Sequence, residues 1–170
     1  MNIILRYIDI CLFKASPADI PSSHWLMKIS LLLYLVVGIV ISRIDYNWQI
    51  SLFTSFTELV VMIVVTSLLL QFRGFKMRLT QTITAMAATG SLLGFVGIPV
   101  MYFFHQTQDQ GQVSGLAMLL LIVIVLWSLM VTAHIFRMAL ELKPANAVML
   151  TIAYTIVSLI VVGLVVSGVA

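Results

Sequence analysis

Apolar residues run through this chain in long, nearly unbroken stretches, without the two-residue alternation of a strand or the one-sided stripe of a soluble helix. Five stretches stand out: approximately Trp25 to Ser42, Ile50 to Phe72, Leu79 to Phe104, Ser114 to Met138 and Ala145 to Val169. Each is near or above the roughly 20 residues that an α-helix needs to cross about 30 Å of hydrocarbon. The first is the shortest, and Lys28 falls in its first turn, where its aliphatic stem can carry the ammonium to the headgroups. The pattern therefore predicts an all-α, polytopic transmembrane bundle of about five helices.

The chain before the first span reads differently. From Met1 to Phe13 the polar interruptions are Asn2, Arg6 and Asp9, spaced by four and three, so they share one narrow helical face. A segment too short to span, with a wet strip along an apolar body, suits the headgroup boundary as a short interfacial amphipathic helix. Ser16-Pro17-Ala18-Asp19 then supplies an N-cap, a proline at the first helical position and an acid at the third, a capping-box variant that starts one short turn. Pro21 limits that turn, and Ser22 or Ser23 caps the next helix. The organisation read from the pattern is an N-terminal cytoplasmic or interfacial segment over residues 1–22 and a five-span bundle over residues 23–170.

Composition strengthens this reading. Of the 170 residues, 62% are apolar and 9% charged, with a mean hydropathy of +1.15, far from the roughly 25% charged usage of soluble domains. In lipid such a chain folds because each helix satisfies its own backbone. The net charge of +3 carries information through its placement. Arg6, Lys14 and Lys28, then Arg73, Lys76 and Arg78, then Arg137 and Lys143 occupy alternate flanks, and Arg43 alone occupies the others. The positive-inside rule then puts the N-terminus in the cytoplasm and the C-terminus outside. Because the basic residues sit at span ends without interleaved aromatics, nucleic acid is not an expected partner. Arg6, Asp9 and Lys14 also interrupt any signal-peptide core, so the first segment is expected to persist. Cys11 is the lone cysteine, which excludes an intrachain disulfide.

Candidate chemistry is sparse. Glu58 is the one acid well inside a span, about 12 Å along its helix from Ile50. An intramembrane carboxylate suggests proton relay or cation binding, or a neutral acid hydrogen-bonded to a neighbouring helix. Arg43 and His105 are its expected basic neighbours. The third span is rich in small residues, and Gly90 and Gly94 have the spacing that lets helices approach closely in lipid. Gly97 and Pro99 mark a possible break of the kind that opens transporter cavities. His134, Arg137 and Glu141 follow i, i+3, i+7 spacing at the end of the fourth span, with Trp127 one heptad before His134. Arg137 and Glu141 are placed to pair at i, i+4, and the cluster suggests a headgroup or partner site. Hydrolase, metal-protease and phosphate-loop patterns are absent. No enzyme, cofactor or metal is expected, the six acids being too few and too scattered for ligation.

The basic loop Arg73-Gly-Phe-Lys-Met-Arg-Leu-Thr-Gln-Thr, the small residues and proline after it, and Trp127-Ser-Leu-Met-Val-Thr-Ala-His134 followed by Arg137 and Ala139 form a recognisable layout. With five spans and a short N-terminal amphipathic segment, the chain resembles bacterial members of the Yip1 family from roughly Ile50 to Val165. The resemblance implies a helical bundle with a cytoplasmic N-terminus and self-association, and carries over no catalytic residue. The resulting expectation is a non-enzymatic inner-membrane protein acting through association with itself, lipid or another membrane protein. The alternative is a small proton-coupled transporter or channel using Glu58. A carrier needs Glu58 to face a water-accessible cavity, whereas a scaffold needs it satisfied by neighbours.

Overall fold

The computed structural model describes residues 3–109 and 114–169, so Asn2 lies outside the described residues. It is all-helical: α1 (Ile3–Cys11), α2 (His24–Asp45), α3 (Trp48–Phe72), α4 (Leu79–Asp109), α5 (Gly115–Leu140) and α6 (Pro144–Val169), with 3-10 turns at Pro17–Asp19 and Lys76–Arg78. Five of these helices are long and apolar enough to cross a membrane. The protein is thus an integral, multi-pass membrane protein.

Local chemistry sets the helix ends. Ser16 accepts from the Ala18 amide at 3.3 Å while Asp19 accepts from the Ser16 amide at 2.7 Å, closing the expected capping box. Ser23 caps α2 through the Leu26 amide, and Asn47 caps α3 through the Ile50 amide at 3.0 Å. α3 stops at Gly74, whose φ of +79° lets the Phe75 amide turn back onto the Leu70 carbonyl at 2.8 Å. α4 continues through Pro99 as one helix. The break suggested by Gly97 and Pro99 does not occur, because neighbouring helices hold both sides of the proline in one helical path.

Two residues join α2 to α3 and three join α5 to α6, so each pair lies antiparallel and adjacent. Contacts then close the five long helices into a ring in the order α2, α4, α5, α6, α3. One face of the bundle, here the near face, carries the starts of α2, α4 and α6 and the ends of α3 and α5. The other is the distal face.

The near half is tightly packed around α4. Residues 82–89 of α4 are buried in sequence, on every side of the helix. Alanines at 85, 87 and 88 let α2, α3 and α5 approach, and α1 with the Pro17–Asp19 turn closes the remaining side. α1 is a strap across α4. Tyr7 faces Ser30 of α2, the Trp127 indole of α5 donates to the Cys11 carbonyl at 3.0 Å, and His134 Nε2 lies 2.9 Å from the Ala15 carbonyl oxygen. Gln81 donates to the carbonyls of Ala18 and Ile20 at 3.2 and 2.7 Å. Arg73 and Arg78 reach the last carbonyls of α5, at Leu140 and Ala139, where helix-end oxygens lack intrahelical partners.

Candidate functional site

The distal half is not solid. A cavity of about 460 Å³ runs from mid-depth toward the distal face, with lining residues from all five long helices. Glu58 lies ten residues into α3, Tyr34 ten into α2 and Tyr154 ten into α6. At 1.5 Å per residue each is about 15 Å from its helix start, and since α2 and α6 rise from the near face while α3 descends from the distal face, all three come to mid-depth. Tyr34 faces the Glu58 carboxyl, and Tyr154 lies within electrostatic reach of it. All three line the cavity and retain part of their surface toward it.

The rest of the lining is mostly apolar. Thr89, Ser128, Thr132 and Thr155 face the cavity, but each donates its hydroxyl into its own helix, to the carbonyls of Ala85, Val125, Ser128 and Thr151 at 2.7–2.9 Å. Among the described lining residues there is no Lys, Arg or His, so Glu58 is the one residue there that can carry a full charge at neutral pH. The carboxyl, two phenol rings, the Ser158 hydroxyl and three methionine side chains, Met62, Met86 and Met101, are the chemistry the cavity offers.

Glycines shape the wall. A Cβ on Gly90 would lie 2.7 Å from Cε2 of Tyr34, and one on Gly94 would lie 2.7 Å from Cγ1 of Val37. Both distances are shorter than van der Waals contact, so α4 and α2 meet closely because these positions lack side chains, and Gly90 leaves the space that the Tyr34 ring occupies. Gly97 lines the cavity next to Ile124 of α5. Pro99 is exposed on the outside of α4.

The structure rearranges the other expected groupings. Arg43 and His105 do not serve Glu58: Arg43 donates to the Tyr46 carbonyl at 2.9 Å and sits 5.9 Å over Trp48, and His105 lies 3.7 Å from Asp45. The Asp45–His105 pair ties α2 to α4 at the distal face, beyond the cavity. Arg137 and Glu141 do not pair either. Glu141 adopts φ +53° as the left-handed cap of α5, which swings its carboxylate off the helix line to Arg78 at 2.7 Å. Arg137 is left exposed beside the Pro17–Asp19 turn. Trp127 and His134, one heptad apart, bracket Phe13, with ring centroids at 6.5 and 5.5 Å. Their common face docks the N-terminal strap.

Tyr34 and Tyr154 were not among the residues singled out from sequence. The signal was available: of the five tyrosines, these two lie mid-span, away from the interfacial belt that tyrosine favours. Among the described residues no group of three or more His, Cys, Asp or Glu side chains converges as a metal site would require. The chain matches no protein-family model, and neither the curated proteins nor the solved structures yield a match.

Proposed function

We propose that the protein is a small proton-coupled membrane carrier in which Glu58 exchanges a proton for cargo. The observation that carries this reading is the placement of the lone intramembrane acid on a cavity shared by all five long helices. A carboxyl whose only task was to brace two helices would sit between them, out of reach of a cavity. A titrating acid at mid-depth, in a cavity of a size typical of small-molecule sites, has the form a proton-exchanging carrier needs. On this reading the basic near face lies in the cytoplasm of a bacterial inner membrane and the distal half of the cavity points outward.

A second reading has its own support. Tyr34 already offers Glu58 a partner on a neighbouring helix, as a Yip1-like scaffold acting by association with itself, lipid or another membrane protein would require. One experiment separates the two. Dicyclohexylcarbodiimide is apolar and reacts with protonated carboxyls it can reach from lipid. A carrier should show one adduct per chain, mapped by mass spectrometry to Glu58, lost in Glu58→Gln and suppressed at high pH. A braced acid should label only after the protein is unfolded, and that result would falsify the carrier reading.

A further inference from the structure

Resting on that carrier reading, the geometry points to a lateral portal between α5 and α6 through which the cavity takes lipid-soluble organic cations directly from the bilayer, with Glu58 as their counter-charge. Three observations converge on it. First, among the described lining residues, Val125 of α5 and Leu159 of α6 are also exposed, at 46% and 67%. Counting back from the three-residue α5–α6 connection brings these two positions to similar depth, so the cavity wall is open to lipid along this seam. The distal half of α6 beyond Leu159 contains no buried residue among those described, and a Cβ added at Gly163 would meet nothing within 4 Å.

Second, the charge is unbalanced. Glu58 faces no basic residue in the cavity, so ligands bearing phosphate or carboxylate find no partner, and phospholipid headgroups are excluded with them. A monocation is the complement of one carboxylate, and Tyr34 and Tyr154, which line the same cavity, are the ring types that attract cations. Third, four of the five serine and threonine hydroxyls that line the cavity are committed as donors to their own helices, Ser158 being the fifth. The site replaces little of a hydration shell, which disfavours compact, strongly hydrated cations. It suits those whose charge is spread over an apolar body and which already partition into hydrocarbon.

Entry is then an exchange. The O–H bond of Glu58 breaks, its proton leaves to water, and the carboxylate pairs with the arriving cation, so the net charge inside the bundle does not change. Proton and cation therefore compete for one group, and the apparent dissociation constant should fall about tenfold per pH unit while Glu58 is mainly protonated.

The test uses the full chain in nanodiscs with two ions of nearly the same shape and opposite charge. Tetraphenylphosphonium should bind saturably at one per chain, more tightly as pH rises, and Glu58→Gln should abolish binding while the helical circular dichroism and thermal midpoint stay in place. Tetraphenylborate and the compact tetramethylammonium should not rise above empty nanodiscs. Val125→Trp and Leu159→Trp, which fill the seam, should slow association and dissociation of tetraphenylphosphonium about tenfold. Binding that survives Glu58→Gln, or equal binding of tetraphenylborate, overturns the ligand class, and unchanged rates in both tryptophan variants overturn the portal. If tetraphenylphosphonium does not bind while carbodiimide still labels Glu58, the ligand class is wrong and the carrier reading stands. If labelling fails as well, both are wrong.

Discussion

Glu58 was legible in the sequence because an acid inside an apolar span is costly and therefore conspicuous. Its partners were not, since nothing along one helix specifies which side chains of two others arrive at the same depth and azimuth. Arg43 and His105 are near in level but are taken by Tyr46 and Asp45, while Tyr34 faces the acid from a place that Gly90 leaves open for its ring. Glu58→Gln keeps shape and hydrogen-bonding capacity and should leave the thermal midpoint nearly unchanged. Glu58→Ala should destabilise the bundle by about 1–2 kcal/mol, read by thermal unfolding in detergent. Gly90→Leu should cost about 1–3 kcal/mol through overpacking against Tyr34, and Leu at the lipid-facing Val123 should cost nothing measurable. Equal tolerance at both sites would show that the α2–α4 contact is not tight.

The N-terminal segment is the element whose role changed most between pattern and structure. At nine residues α1 is too short to span, but its apolar side is not simply laid on lipid. It closes α4, with Ile10 and Ile20 almost wholly buried. Phe13 holds φ +62°, a conformation that non-glycine residues seldom adopt, and the stack on Trp127 and the edge contact with His134 compensate. Cys11 reports on this docking. Burial pushes its thiol up to about 11, so at pH 8 roughly one thiol in a thousand is the reactive thiolate, against about a quarter for a free cysteine. In the folded protein Cys11 should therefore react slowly with maleimide. His134→Ala removes the 2.9 Å contact to Ala15 and should speed labelling at least tenfold, with little loss of helix content. A rate that does not change would mean that α1 stays docked without His134.

At the scale of the whole molecule, charge and packing divide the bundle in the same direction. Eight of nine basic residues belong to the near face, which is also the tightly packed half, whereas the cavity opens in the half that carries Arg43 alone. With Cys11→Ser as background, a cysteine at Gln49 should label with a membrane-impermeant maleimide from outside intact cells, and one at Gln71 should label only after permeabilisation. Labelling in the reverse order would invert the orientation, leaving the bundle itself intact. The number of spans, their approximate limits, the capping turns and the isolated acid were determined by the sequence alone. Each depends on one stretch of chain meeting lipid or water, and hydropathy and local hydrogen bonding act within that stretch. The ring order, the strap across α4, the transfer of Glu141 from Arg137 to Arg78, and the cavity where Tyr34, Glu58 and Tyr154 meet were decided only by tertiary structure. In lipid the helices are nearly equivalent on all sides by hydropathy, so side-chain shape and the absence of a few Cβ atoms, rather than polarity, select which faces come together.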